Sequence, residues 1–247
     1  MNVSDYKNYL ISDAEPDRCR KTWDRLYTPF IQKGIASGRI TGRYFIGNSG
    51  EKRYMSYFRE TSDGDIDVKL SGDTFFNFNI GKKGKFKQFE KLLTNENEIK
   101  QLNRCNKLTH SLPNFVLMPC TGAMQLYKQN CGGNLDRPDV FLFMLKDYYV
   151  GNRDLDHVIF SRARGNKSKD HTAEENIQKQ KKRLKLFLDS FDGIHAYCRE
   201  LCFLDDSTLV DKLIEHGARE IKDATDVISY MNLAEEYWEY RRGLLSN

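Results

Sequence analysis

The chain has 247 residues, with 39 Lys and Arg against 35 Asp and Glu, a net charge of +4. That length holds one large domain or two small ones with a sizeable core. Aromatic residues at 12% argue against a disordered chain, and 5 prolines with 17 glycines exclude a collagen-like or linker-dominated one.

Residues 1–18 carry no apolar run of signal-peptide length, and no stretch approaches the roughly 20 apolar residues a membrane helix needs. Cysteines stand at 19, 105, 120, 131, 198 and 202, with no CxxC pair and no dense framework. In a chain this long they read as reduced thiols. The expectation is a cytoplasmic protein with no membrane partner.

Along the chain, Trp23, Leu26, Tyr27 and Phe30 recur at three and four, which predicts a helix over 15–33, stopped by Gly34 and Gly38. From 41 to 80 the period becomes two. Tyr44, Ile46, Tyr54, Ser56 and Phe58 alternate with polar neighbours, as do Ile66, Val68 and Leu70, then Phe76 and Phe78. Turn residues at 47–50, 62–64 and 71–73 separate these runs, which predicts an antiparallel meander of three or four strands. A helix is expected over 85–103 and a buried strand over 114–118, between Pro113 and Pro119. Pro138 suits the first position of a helix over 139–149. Residues 151–171 are polar and read as a mobile loop. Thr172 and Glu175 fit a capping box for a long helix reaching about 204. Asp206 and Ser207 cap a short helix ending at Gly217, and a last helix covers 223–245.

Net charge hides an asymmetry. Residues 151–185 hold 10 Lys and Arg against 5 Asp and Glu, whereas 186–247 hold 6 against 13. The basic part includes Arg162 and Arg164, then Lys179, Lys181, Lys182 and Arg183. Such a cluster can neutralise phosphates of a nucleic acid, although it is more often a solvated face.

Four constellations could carry chemistry. Asp65 and Asp67, at i and i+2 on a strand, share a face as in metal-dependent nucleotidyltransferases. The ordinary alternative is a half-exposed strand with Ile66 and Val68 inward. Arg104 and His110 match the loose spacing of helical-bundle RNases, with His as general acid or base and Arg stabilising a phosphorane. The ordinary reading, and the favoured one, is a surface or helix-end charge at Arg104 and a satisfied turn residue at His110. His195, Cys198 and Cys202 fall at three and four on one helical face, a zinc-ligand set or simply core. Asn134, Asp136, Arg137 and Asp139 cluster at a helix start, where capping is the plain reading. No P-loop, dinucleotide fingerprint, nucleophile elbow or HExxH site occurs, so no cofactor and no metal is assigned.

The stretch 109–119, reading Thr-His-Ser-Leu-Pro-Asn-Phe-Val-Leu-Met-Pro, resembles a segment of a family of uncharacterised bacterial proteins. There it runs approximately His-Thr-Ile-Gly-Asn-Phe, followed by apolar residues and Pro. A loop follows, then a helix ending in Tyr-Tyr, similar to 137–149 here. An early Asp-Pro-Asp segment resembles 14–17, and a later helix rich in Phe and Asp resembles 186–206. Gly is replaced by Pro113, and the family's paired Asp is kept only as Asp139. The resemblance implies a bacterial, intracellular α+β domain of unknown function. It carries His110, Asn114, Asp139 and Tyr149 as landmarks and supplies no activity.

These readings combine into a single α+β domain over 1–247. A small antiparallel sheet in the N-terminal half, the 41–80 meander, packs against a mainly helical C-terminal half, 137–247. The expected function is a non-catalytic binding or interaction protein with protein partners. A nucleic-acid-acting protein, as an RNase using Arg104 and His110, is the alternative. A nucleotidyltransferase using Asp65 and Asp67 is weaker still.

Overall fold

Four strands in the N-terminal half form one antiparallel sheet in the order β1-β2-β3-β4. They are β1 (Arg43–Ser49), β2 (Lys52–Arg59), β3 (Ile66–Thr74) and β4 (Phe115–Pro119). The helices are α1 (Thr28–Ala36), α2 (Lys87–Glu90), α3 (Glu96–Leu108), α4 (Pro138–Tyr149), α5 (His171–Asp189), α6 (Gly193–Leu201), α7 (Ser207–Gly217) and α8 (Ala224–Ser246). This is an α+β architecture with the helices concentrated in the C-terminal half. The computed structural model describes residues 2–10, 23–38, 43–49, 52–60, 65–80, 84, 86–119, 128, 131, 135–155 and 171–246. Among them no helix is long and apolar enough to cross a membrane.

Period two does its work in β3. Ile66, Val68 and Leu70 are buried, while Asp65, Asp67 and Lys69 are exposed. Tyr57 of β2 pairs with Val68 and packs its ring on Phe187 and Phe191, at 5.3 and 5.6 Å between centroids. That contact seats the end of α5 and the turn after it on the sheet. All five residues of β4 are buried, so this strand has no polar face.

The alternation at Phe76 and Phe78 predicts more strand, yet β3 ends at Thr74. Both rings are buried, and the peptide groups of this segment pair with side chains. Asn114 accepts from the Phe76 N–H at 2.9 Å and donates to the Phe76 carbonyl at 2.6 Å, the two bonds a neighbouring strand would supply. It also donates to the Thr109 carbonyl at 2.7 Å and accepts from the Trp238 indole at 2.7 Å. The Phe78 N–H bonds the Thr109 hydroxyl at 3.1 Å. Around this clamp Phe75, Phe76, Phe78, Phe86, Tyr237 and Trp238 form a buried aromatic cluster.

Three helix boundaries differ from expectation. The 85–103 helix is a short α2 and then α3. Asn95 caps α3, accepting from the Asn97 N–H at 2.8 Å, and Glu98 reaches back to the Asn95 N–H at 3.4 Å. That capping box outweighs apolar periodicity across 91–95. The long helix over 172–204 breaks into α5 and α6. Gly193 sits at φ +78°, and the Ser190 and Phe191 N–H groups turn back to Phe187 and Leu188. The first helix is described from a π-helical turn, Trp23–Tyr27, and runs on to Ala36; its expected start over 15–22 lies outside the described residues. The Asp206 cap holds as expected, accepting from the Leu209 N–H at 3.1 Å.

Replacing Asn114 by Leu keeps the number and branching of side-chain heavy atoms and removes the bonds to the Phe76 N–H and C=O, the Thr109 carbonyl and the Trp238 indole N–H in the core. Urea unfolding should show a loss of about 3 kcal/mol or more. A loss below about 1 kcal/mol would mean the 75–78 segment is held by its rings alone.

Candidate functional site

The most connected polar cluster lies where α4 begins and α7 ends. Pro138 starts α4, and Asp139 follows in its first turn, fully buried. Arg137, just before the helix, is buried beside it. Its Nε and Nη2 grip the Asp139 carboxylate at 3.1 and 2.5 Å, a two-point arrangement. His216, in the last turn of α7, places Nδ1 2.8 Å from the second Asp139 oxygen. A carboxylate can only accept, so Nδ1 carries a proton and donates to it. Arg137 Nη1 also bonds the Arg219 carbonyl at 3.3 Å, which ties the end of α7 to the start of α4.

The close approach is made by Gly217. A Cβ there would stand 2.1 Å from the Asp139 carbonyl oxygen, a backbone atom that cannot swing aside. Tyr230 of α8 roofs the cluster, with its ring stacked on His216 at 5.7 Å and the Arg137 guanidinium 5.5 Å from its centroid. Its hydroxyl is buried and makes no hydrogen bond among the described residues. Burial pushes the Tyr230 phenol well above its ordinary pKa.

Burial alone would raise the Asp139 pKa. The hydrogen bond from His216 and the Arg137 charge outweigh it and hold the carboxyl below the usual aspartate range. His216 is 11% exposed at its side chain, and it lines a groove between α7 and α8 of about 270 Å³. Lys212, Glu215, Arg219, Asn232 and Glu236 share that lining. Lys212 pairs with Glu236 at 2.6 Å and Arg219 with Glu215, so the groove carries both signs, already matched.

A second buried charge stands nearby. Lys128 is fully buried, 2.7 Å from Asp136 and 3.2 Å from Asp73. Burial alone would lower its pKa, but the two carboxylates raise it. Asp136 sits at φ +57° and also accepts from the Asn77 amide at 3.2 Å. The pair locks the end of β3 to the approach of α4.

The residues singled out in the sequence fall apart into different settings. Arg104 faces α8, with Nε 3.0 Å and Nη2 2.8 Å from Glu235. His110 is half-buried in the turn after α3. Asp65 and Asp67 lie exposed at the start of β3. His195 is exposed and pairs with Asp211 at 2.9 Å, whereas Cys198 and Cys202 are buried core. No group of three or more metal-ligating side chains occurs among the described residues. On α5, Lys179, Lys182 and Arg183 are exposed and Lys181 half-buried. Arg162, Arg164 and Asn134 lie outside the described residues. Of the landmarks, Asn114 and Asp139 are the two buried hubs described above, and Tyr149 donates to the Leu188 carbonyl at 3.0 Å.

Sequence reasoning missed His216, Lys128 and the Arg137–Asp139 grip. His216 is 77 residues from Asp139 and Lys128 is 8 from Asp136, separations to which periodicity is blind; Arg137 and Asp139, two residues apart, read as helix capping. No family model, curated protein or solved structure matches the chain.

Two outcomes test the cluster. Gly217→Ala should cost about 2 kcal/mol or more in thermal or urea unfolding, because backbone must move. An unchanged midpoint would refute the close contact. Asp139, depressed in the folded state, lends stability that is complete above the unfolded aspartate pKa of about 3.9 and is lost as pH falls. The Asp139→Asn variant should therefore be less stable than wild type at neutral pH, with the gap narrowing between about pH 5 and 3. A gap independent of pH would contradict the assignment.

Proposed function

We propose that the protein is a non-catalytic binding protein of the bacterial cytoplasm, and that the groove beside His216 receives a protein partner. The observation carrying this reading is a histidine fixed in orientation by a buried carboxylate at 2.8 Å, at the wall of an open polar groove. Fixing the ring before contact lowers the ordering cost of binding. Lys212–Glu236 and Arg219–Glu215 are exposed pairs of low intrinsic worth, so they can exchange partners with an incoming chain at little cost. Matched charges of both signs suit a polypeptide better than a polyanion.

A nucleic-acid reading keeps one observation in its favour. Lys179, Lys182 and Arg183 stand exposed on α5, opposite the buried Leu184, Phe187 and Leu188. An RNase reading through Arg104 and His110 has to contend with Glu235, which already takes the Arg104 guanidinium.

Affinity capture from bacterial cytosol separates these. Wild type is compared with Lys212→Glu/Arg219→Glu and with Lys179→Ala/Lys182→Ala/Arg183→Ala. We expect a discrete protein retained by wild type and by the α5 variant, and reduced at least about tenfold by the groove variant. Retention that is nuclease-sensitive and lost from the α5 variant would replace this reading with nucleic-acid binding. RNA cleavage abolished by His110→Ala would replace it with an enzyme.

A further inference from the structure

Arg241, in the C-terminal part of α8, is a fully buried cation. Its Nη1 donates to the Cys202 carbonyl at 2.5 Å and the Tyr237 hydroxyl at 2.8 Å, and Nη2 donates to the Phe115 carbonyl at 3.0 Å. Among the described residues Nε has no hydrogen-bond partner, and none of the acceptors is a carboxylate. The carbonyl at the C-terminal end of α6 offsets part of the charge. The rest stands in a low-dielectric setting without a counter-ion among the described residues.

That charge lies directly behind a cleft. The Arg241 Cζ is 5.1 Å from the Phe30 ring centre and 5.3 Å from that of Phe203, two rings stacked at 5.0 Å. Phe30, Gly34, Phe203 and Leu244 give the cleft its apolar lining. The inner part measures about 90 Å³. An adjoining part of about 200 Å³ shares Phe30, Lys33 and Leu244 and reaches Arg25. Lys33 is exposed on the rim and makes no ion pair among the described residues; Arg25 donates to the Asn8 carbonyl at 2.8 Å. Arg199 lines the same opening. Among the described residues the lining holds one carboxylate, Asp205. Phe203 adds an independent sign: it holds φ +50°, a left-handed position where a helix normally ends on glycine. Such strain is stored preferentially at ligand clamps.

We infer that this cleft binds a small amphiphilic anion, a carboxylate or phosphate carried on an aromatic or acyl body. The body fills the apolar inner part between α1 and α8. The anionic head meets Lys33 and Arg25 at the rim, and the field of Arg241 acts through the aromatic floor. This site is independent of the groove beside His216.

The test uses the full chain and titration calorimetry at low salt, with phenyl phosphate, octanoate, inorganic phosphate and phenol as probes. Phenyl phosphate or octanoate should bind saturably at millimolar concentration or below. Lys33→Glu should weaken that binding at least about tenfold, the loss of one charge-assisted contact. Inorganic phosphate and phenol should each bind at least about tenfold more weakly, lacking either body or charge. Lys33 is exposed, so its variant is expected to fold; Leu244→Glu is the second variant and should abolish binding from the other wall. The groove variant Lys212→Glu/Arg219→Glu should bind as wild type. No saturable binding of either amphiphile, or binding indifferent to both cleft variants, overturns the inference. Equal binding of inorganic phosphate would overturn it as well, since the apolar cleft would then be idle.

Discussion

The side-chain amide of Asn114 is the constraint on which the rest of the fold depends. Four groups from three separate parts of the chain converge on it: the Phe76 N–H and C=O, the Thr109 carbonyl and the Trp238 indole. An amide offers two donors and an accepting oxygen, and all are engaged here. Any slip of the 75–78 segment would leave buried peptide groups unpaired, at a cost each of about 1–3 kcal/mol. The amide therefore ends β3, fixes the register of the segment after it and sets the depth of α8 through Trp238. Positions of Tyr230 and Arg241 follow, because a helix is a rigid ruler of about 1.5 Å per residue.

Buried charge plays a second, different part. Lys128, Arg137, Asp139 and Arg241 are all removed from water. Desolvation of such groups commonly cancels what their pairing returns, so they add little to net stability. What they add is discrimination between arrangements. Arg137 cannot leave Asp139 without stranding a buried charge, and Lys128 cannot leave Asp136 and Asp73. Arg137 and Asp139, both at the start of α4, reach α7 through the Arg219 carbonyl and His216, and Lys128 joins β3 to the approach of α4. An apolar core alone would allow these elements to slide against one another.

Much of the frame was legible in the sequence, for a local reason. Alternation at Ile66, Val68 and Leu70 and the cap at Asp206 are decided within a few residues, and they came out as read. The break at Gly193 was also local, carried by Ser190, Asp192 and Gly193, but the apolar face of 184–202 hid it. Phe76 and Phe78 misled because alternation reports burial on one side, not the identity of the hydrogen-bond partner. Asn114 imitates a strand there, and no period records that. His216 is 77 residues from Asp139, and Arg241 is 126 from Phe115. Pairings at that separation follow from the packing of whole elements. Two residues that chemistry singles out in the sequence, Arg104 and His195, pair with Glu235 and Asp211 instead.

One helix joins the two surfaces. Ser229, Asn232 and Glu236 of α8 line the groove beside His216, and Tyr240 and Leu244 of the same helix line the cleft over Arg241. Asn232 and Leu244 are about 18 Å apart along its axis. In its C-terminal half α8 is pinned by Trp238 to Asn114 and by Arg241 to β4 and the end of α6. A rotation of α8 that opened one surface would have to break the Asn114 clamp, which forbids continuous adjustment. The two surfaces are therefore held at fixed separation on a common strut. Communication between them would have to pass through the packing of Tyr230 and Tyr237 on the phenylalanine cluster, where rings interlock at 4.6 to 5.8 Å. Interlocked rings of this kind resist small displacements. The buried polar groups along α8 hold the groove and the cleft at a fixed separation.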